Sequence, residues 1–245
     1  MLFQLAVLGA GLIAGFLNVM AGGGSLITLP ILLFLGLPAA VANGTNRLAI
    51  LAQNVAAVSS FRRQGYADAR TGLLYASATI PGALAGAFLA TRVSDGLFRT
   101  ILAGVLALAV FGLVIPRRSD WYAGERVSAR RRMVALFGFL AIGFYGGFIQ
   151  AGVGFLLMLV LHQILFHDLV RTNMHKVLIV LVFSVPALGV FVATGNVDWM
   201  TGAVLAVGNV TGALVATRVS MTAGERPIRI VVAVALLLMA VRLIV

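Results

Sequence analysis

The sequence predicts an all-α integral membrane protein built from two inverted repeats of about five hydrophobic segments each. Three observations support this prediction: apolar stretches near spanning length, an internal repeat, and arginines concentrated between the apolar stretches. Of the 245 residues, 61% are hydrophobic and only 10% are charged, whereas soluble domains carry about 25% charged residues. With a mean hydropathy of +1.08, the chain has too little polar sequence to cover a soluble core.

The apolar sequence divides into ten segments, with one long polar stretch between the fifth and the sixth. The segments are 2–21, 25–36, 46–61, 71–91, 97–115, 133–150, 154–166, 174–194, 199–217 and 228–245. We therefore predict a first membrane repeat (1–115), an Arg-rich linker (116–132) and a second membrane repeat (133–245). Segments 25–36 and 154–166 are short for a span of about 20 residues. Each is expected to form a re-entrant hairpin with the segment before it, around a broken helix.

The internal repeat is literal in one region and looser elsewhere. Gly82, Gly86 and Ala90-Thr91-Arg92-Val93-Ser94 recur as Gly208, Gly212 and Ala216-Thr217-Arg218-Val219-Ser220. Looser copies pair Ala21-Gly22-Gly23-Gly24 with Ala151-Gly152-Val153-Gly154, Thr45-Asn46 with Thr172-Asn173, and Asp68-x-x-Thr71-Gly72 with Asp198-x-x-Thr201-Gly202. The register between the copies changes by about one helical turn between Gly72 and Gly82. This change leaves open whether both pairings are genuine.

Basic residues in the loops orient the segments. The linker contains Arg117, Arg118, Arg126, Arg130, Arg131 and Arg132, which predicts that it is cytoplasmic. Loops 62–70 and 218–229, which are rich in arginine, then fall inside. Their repeat partners 195–198 and 92–99 fall outside, although the two arginines of 92–99 make it a weaker fit. Matching loops lie on opposite sides, so the halves are expected to be inverted, with both termini extracytoplasmic.

Charge and composition exclude several classes of function. A net charge of +11 would suggest nucleic-acid binding in a soluble protein. Here the positive-inside rule and anionic lipid headgroups account for it, so we expect the lipid bilayer as a partner and no nucleic acid. The absence of cysteine excludes disulfides and thiolate metal sites, and no metal site or cofactor is predicted. Residues 1–4 lack the basic region of a signal peptide, so no cleavable signal is expected. The sequence leaves a homodimer open.

Two glycine tracts are candidates for an anion site: Gly22, Gly23, Gly24 and Ser25 in the first half, and Gly152 and Gly154 in the second. A helix that breaks and restarts within the bilayer exposes N–H groups and the positive end of a helix dipole. The alternative is that these glycines only permit close helix packing. For the triple glycine we favour the site, and for the second tract the two interpretations stay even. The four-residue spacing of Gly82 with Gly86, and of Gly208 with Gly212, instead predicts packing faces.

Polar runs with a cation open the third and eighth segments. They contribute Asn46 with Arg47 and Asn173 with Lys176, the only lysine of the chain. Amide donors beside a cation suit an oxyanion, whereas helix capping and a snorkelling cation are the alternative.

Other buried amides divide between two roles. Asn18 and Gln150, just before the glycine tracts, are predicted to line a cavity. Gln53, Asn54 and Asn209 are predicted to form interhelical hydrogen bonds.

Acidic residues lie only in loops or at segment ends. This argues against a buried carboxylate that carries protons. His162, His167 and His175 could titrate near neutrality, but they are interpreted as structural. The chain contains no His-Glu-x-x-His, and Gly23-Gly24-Ser25 is not followed by the glycine of a nucleophile elbow. The protein is therefore not expected to be an enzyme, and no catalytic residue is predicted.

The glycine and Thr-Asn tracts resemble the TauE/SafE sulfite exporter family, also called TSUP. The first half carries the more specific stretch, Gly11-x-x-Ala14-Gly15-Phe16, then 21–30, Ala-Gly-Gly-Gly-Ser-Leu-Ile-Thr-Leu-Pro, and 42–46, Ala-Asn-Gly-Thr-Asn. The second half echoes it in 146–154 and in Thr172-Asn173-x-x-Lys176. The resemblance implies a multi-pass transporter of the bacterial inner membrane for small sulfur-containing anions, such as sulfite or sulfoacetate.

These observations lead to one hypothesis and several alternatives. The hypothesis is secondary transport, in the direction of export, of a small anion that binds between the two glycine breaks, by alternating access. A passive anion channel of the same architecture is the alternative that sequence separates least well. An intramembrane enzyme lacks the motifs, and a membrane anchor has no obvious use for paired helix breaks.

Overall fold

The protein is described by a computed structural model that covers residues 2–20, 23–63, 65, 68–114 and 127–219. Within these residues the chain forms helices and no strand, which confirms the all-α fold class. The α-helices are α1 (Leu2–Met20), α2 (Ser25–Phe34), α3 (Ala39–Arg63), α4 (Ala69–Ala90), α5 (Asp95–Val114), α6 (Ala129–Phe148), α7 (Val153–Met158), α8 (Leu169–Ala193) and α9 (Trp199–Val219), and a π-helical segment (Leu159–Ile164) continues α7. Gly22, most of the linker and the last predicted segment, 228–245, lie outside the described residues.

Three of the described helices are long and apolar enough to cross a membrane: Ala69–Ala90, Arg171–Ala193 and Trp199–Ala216. Shorter apolar helices occupy Phe3–Val19, Ser25–Phe34 and Val153–Ile164. Large apolar side chains such as Phe137, 72% exposed, and Leu108, 71% exposed, point outward from the bundle. An apolar exterior around a buried polar interior is the arrangement expected of a membrane protein.

Helix α3 is longer than the sequence predicted. The prediction began the third segment at 46, but the helix begins at Ala39 and includes the polar run around Asn43 and Arg47. Hydropathy missed this part because the polar side chains of α3 face the protein and not lipid: Asn43, Asn46 and Arg47 are 0% exposed. α3 packs against both α8 and α9, which makes it the central helix of the first half.

The predicted breaks follow α1 and α6. After α1 ends at Met20, Gly24 turns back against the same helix, and its backbone N–H donates to Asn18 Oδ1 at 2.8 Å. A Cβ at Gly24 would lie 2.1 Å from the carbonyl oxygen of Ala14, so only glycine permits this approach. After α6, Gly152 starts α7 with a φ of +73°, in the left-handed region that glycine favours.

Two glycine seams hold the bundle together, and their contacts are reciprocal. In the first seam, α1 packs on α9, and a Cβ at Gly15 would lie 2.0 Å from the carbonyl oxygen of Asn209. In the second, α6 packs on α4, and a Cβ at Gly147 would lie 2.1 Å from the carbonyl oxygen of Ala83. The four glycines predicted to form packing faces also belong to these seams; they are Gly82, Gly86, Gly208 and Gly212. That prediction is confirmed.

The second repeat pairing, between Gly72 and Gly202, also corresponds to equivalent contacts. Gly72 lies against His175 and Leu178 of α8, and Gly202 lies against Thr45 and Leu48 of α3. In both pairings the matched glycines therefore make equivalent contacts. Gly202 and Gly208 on α9 are about one helical turn closer together than Gly72 and Gly82 on α4.

Helices α3 and α8 cross the centre in opposite directions. Gly44, near the start of α3, lies beside Phe191, near the end of α8. Phe61, near the end of α3, clusters with Met174, near the start of α8. We call the end of the bundle with Arg63, Asp68 and Asp168 the linker face. The end with Ala39, Asp95 and Asp198 is the opposite face. Whether these faces lie inside or outside the cell stays a prediction.

Candidate functional site

A small cavity lies where the two broken helices meet the central helices. Its polar lining consists of Asn18, Ser25, Gln53, Asn54, Gln150 and Lys176, and its remaining lining of Ile50, Val153, Gly154, Val177 and Val180. The cavity leaves about 20 Å³ for the centre of a water molecule, enough for one water, which needs about 10–15 Å³ measured in this way. In the described conformation the cavity is therefore too small to hold a sulfur oxyanion.

The structure brings together five of the residues predicted to bind substrate: Asn18, Ser25, Gln150, Gly154 and Lys176 line the cavity. The other predicted residues that the structure describes do not line it: Gly23, Gly24, Asn46, Arg47, Gly152 and Asn173.

Lys176 is the only basic residue of the cavity wall, and it is 2% exposed. Its Nζ donates to the carbonyl oxygens of Asn18 at 3.2 Å and Val19 at 3.1 Å, and to Asn173 Oδ1 at 2.8 Å. The two carbonyls belong to the last turn of α1, the negative end of its dipole. The positive charge of Lys176 therefore stabilises the end of the first broken helix and also faces the cavity. Asn173 does not line the cavity and acts on it through its hydrogen bond with Lys176.

The amides of the cavity hold one another in place. Asn18 Nδ2 donates to Gln53 Oε1 at 3.1 Å, and Gln150 Nε2 donates to Ser184 Oγ at 3.1 Å. Gln150 Oε1 is buried and has no hydrogen-bond partner among the described residues. Each amide carries both donors and an acceptor. The wall can therefore offer N–H groups to an anion after side-chain rotation.

Sequence reasoning placed Gln53 and Asn54 outside the site. The interhelical bond predicted for Gln53 is present, with Asn18 as its donor. Asn54 Nδ2 instead donates to Ile50 O of its own helix at 2.7 Å. Both residues also line the cavity. The helical spacing of Arg47, Ile50 and Asn54 would have placed them on one face of α3. For Asn209 the predicted interhelical bond is absent, since neither side-chain polar atom has a partner in the described structure.

Arg47 and Asn46 lie beside the cavity and not in its wall. Arg47 Nη2 donates to the carbonyl oxygen of Gly147, in the last turn of α6, and its guanidinium carbon lies 4.8 Å from the centre of the Phe191 ring. Asn46 Oδ1 accepts from Thr28 Oγ1 at 2.6 Å. Arg47 thus stabilises the end of the second broken helix, as Lys176 does for the first.

The contacts also correct the repeat register around these residues. The sequence paired Asn46 with Asn173, but the matching contacts of Gly72 and Gly202 equate Thr45 with His175. In that register Asn46 corresponds to Lys176. The literal Thr-Asn match is therefore displaced by one helical turn from the structural one.

A cluster of titratable residues lies at the linker face. His175 Nε2 lies 3.8 Å from Asp68 Oδ2, and the rings of His167 and His175 are 4.9 Å apart. Burial lowers the pKa of His167 below its usual value, and the charge of Arg171 adds to this effect. Burial raises the pKa of Asp68, but hydrogen bonds from Thr71 and the charges of His175 and Arg171 outweigh it, so its pKa lies below the usual value.

The profile of one protein family, described as "Sulfite exporter TauE/SafE", matches residues 7–243. The chain belongs to the TauE/SafE family. The match covers both helix breaks and both glycine seams, and it confirms the resemblance carried by the glycine and Thr-Asn tracts.

Relatives of this TauE/SafE protein are named as transporters. A "probable membrane transporter protein ORF9" of Sinorhizobium sp. is 31% identical, with 96% of this chain and 90% of the relative aligned. A probable membrane transporter protein of Haemophilus influenzae is 28% identical over 96% of this chain and 91% of its own length. YfcA of Escherichia coli, also named a probable membrane transporter protein, is 28% identical over 95% of this chain and 86% of its own length. The chain is a multi-pass membrane transporter and not an enzyme.

Proposed function

We propose that this protein exports a small sulfur-containing anion, such as sulfite or an organosulfonate like sulfoacetate, across the bacterial inner membrane by alternating access. One observation carries the proposal: Lys176, the only lysine, faces an amide-lined cavity between the two broken helices. The family description supports the sulfur chemistry of the substrate. Cationic and amide donors in a dry site form strong hydrogen bonds with oxyanions.

Lys176 supplies the charge by exchanging partners. In the described state its Nζ donates to Asn18 O, Val19 O and Asn173 Oδ1. An anion that enters the cavity offers oxygens of greater negative charge than backbone carbonyls. Nζ then donates to the anion, and the end of α1 loses part of its stabilisation. Binding of the anion is thereby linked to movement of the first broken helix.

Movement of the two halves would open the cavity to each face in turn. The seams pair α1 with α9 and α4 with α6, so each seam joins a helix of one half to a helix of the other. A change at either seam moves one half against its partner. The cavity, small in the described state, has to expand before it admits an anion larger than water.

Orientation is part of the proposal. We place the linker face in the cytoplasm and both termini outside, because arginines concentrate at that end. The chain has no cysteine, so single cysteines at Arg70 and Asn196 can be labelled without background. Impermeant maleimide should label Asn196→Cys from outside and Arg70→Cys only after lysis. Labelling of both from one side would overturn the orientation.

Proteoliposomes that contain the purified protein test the transport proposal. Uptake of sulfite, sulfoacetate, thiosulfate and sulfate would be measured with and without the same anion inside. Faster uptake into anion-loaded vesicles is the result expected of alternating access. Uptake that rises linearly with concentration and shows no such stimulation indicates the passive channel. No uptake of any of the four anions above that of empty liposomes would refute the proposed substrate class.

A further inference from the structure

Arg47 carries a positive charge that the described residues do not neutralise. Its side chain is 0% exposed. It donates one hydrogen bond, from Nη2 to Gly147 O, and it faces the ring of Phe191. In the part of the chain that the structure describes, no carboxylate forms an ion pair with it. A buried charge without a counter-charge is costly and requires an explanation.

The donors around Arg47 are also incomplete. Nε and Nη1 of Arg47 and Nδ2 of Asn46 have no acceptor among the described residues. Together these atoms carry one N–H on Nε, two on Nη1 and two on Nδ2. The orientation of the Asn46 amide is set by its bond with Thr28, which occupies the oxygen and leaves the N–H groups unpaired. Unpaired N–H groups on two adjacent residues, next to a positive charge, are what an oxyanion would satisfy.

We propose that Arg47 and Asn46 form a second binding station for a small oxyanion, separate from the cavity at Lys176. The inference rests on the proposed function, because the ligand is the transported anion. Arg47 lies three residues before Ile50, which lines the cavity, a rise of about 4.5 Å along α3. α3 starts at the opposite face, so Arg47 lies between that face and the cavity.

The neighbours of Arg47 suit an anion and do not compete with it. Phe191 covers the guanidinium by a cation–π contact. The bond to Gly147 O holds the guanidinium in place through Nη2 and leaves Nε and Nη1 for the ligand. The polar atoms of the station are buried in the described conformation, so an anion reaches them only when the halves move. Two stations in series give the anion a second polar site when it leaves Lys176, so it does not enter lipid. Because two sites share the binding of the anion, neither site has to hold it tightly.

The number of anions bound per chain tests this inference. Equilibrium binding of sulfur-35-labelled sulfite to the full-length protein in nanodiscs should give two anions per chain for the wild type. Arg47→Gln should reduce the number to one. Lys176→Gln should also leave one, held at Arg47. Arg92→Gln is the matched control, because Arg92 also lies over a phenylalanine, Phe88, but is exposed and remote from the cavity; it should retain two.

A second variant keeps the test informative if Arg47→Gln does not fold. Asn46→Asp replaces the unpaired Nδ2 with a carboxylate oxygen, so it removes two donors and adds a negative charge next to Arg47 in the chain. It should bind one sulfite, because the carboxylate repels an anion at the second station and leaves the cavity at Lys176 unchanged. One anion per wild-type chain, or two per Asn46→Asp chain, would overturn the second station and leave the proposed transport intact. No sulfite bound to the wild type would count against the proposed function as well.

Discussion

Lys176 and Arg47 stabilise equivalent features of the two halves, yet only one of them faces the cavity. Each cation donates to carbonyls at the end of the other half's first helix: Lys176 to Asn18 and Val19, and Arg47 to Gly147. Lys176 extends into the cavity wall, whereas Arg47 is enclosed by Phe191 and the end of α6. Equivalent helices in the two halves can thus keep the same role at a helix end while only one of the two cations lines the cavity.

The two glycine seams hold equivalent helices of the two halves together. Gly15→Leu and Gly147→Leu should each abolish the folded protein, because a Cβ would lie 2.0 and 2.1 Å from a backbone oxygen. Loss of more than about 4 kcal/mol is expected for such overlap with rigid backbone. Size-exclusion yield after detergent extraction measures the effect. Gly9→Leu is the control in α1, since nothing lies within 4 Å of its Cβ position. Normal yield of either seam variant would refute the reciprocal packing.

The amides of the cavity wall should matter for transport and much less for folding. Gln150→Leu removes the donor to Ser184 and the unpaired Oε1 from the wall. We expect uptake of the anion to fall by about 10- to 100-fold, as for the loss of a buried polar contact worth about 1–3 kcal/mol. Asn196→Leu, at a half-buried amide of the opposite face that bonds to Thr194 and does not line the cavity, should not change uptake. Equal effects of the two variants would show that the wall has no special role.

Asn173 should have a smaller effect, since it acts through Lys176. Asn173→Leu removes one of the acceptors of Nζ, at 2.8 Å, and leaves the charge in place. About a threefold to tenfold change in the half-saturating anion concentration is expected, with little change in the maximal rate, because a neutral acceptor contributes about 1 kcal/mol. A fall in the maximal rate alone would argue for a role in folding or in movement.

The smallest expected effect concerns pH at the linker face. The pKa of His167 is lowered in the folded state, so the unfolded chain binds more protons below about pH 6.5 and stability falls as the pH decreases. His167→Gln should therefore reduce the loss of Tm between about pH 6.5 and 5. The carboxyl of Asp68, with its lowered pKa, loses its contribution only at lower pH. Parallel Tm curves for variant and wild type would contradict the assignment.

The sequence was sufficient for the framework and only in part for the site. Apolar runs and four-residue glycine spacing predicted the breaks and the seams, because both depend on local geometry. Gln53 and Asn54 were not predicted to line the cavity. In a soluble protein a polar residue within a helix usually faces solvent, whereas in a membrane bundle it faces the interior. Asn46 and Asn173 were wrongly equated, because a literal match in the chain does not reveal a shift of about one helical turn in packing.

The central claim is that Lys176 supplies the charge of the transport site, and anion uptake by Lys176→Gln tests it most directly. Arg171→Gln is the control on the same helix, because Arg171 has 66% of its side chain exposed outside the cavity. Uptake of sulfite and sulfoacetate into proteoliposomes should fall by about 100-fold for Lys176→Gln, as expected from the loss of a buried charge worth about 2–5 kcal/mol. Arg171→Gln should match the wild type. Wild-type uptake by a folded Lys176→Gln protein would contradict the account.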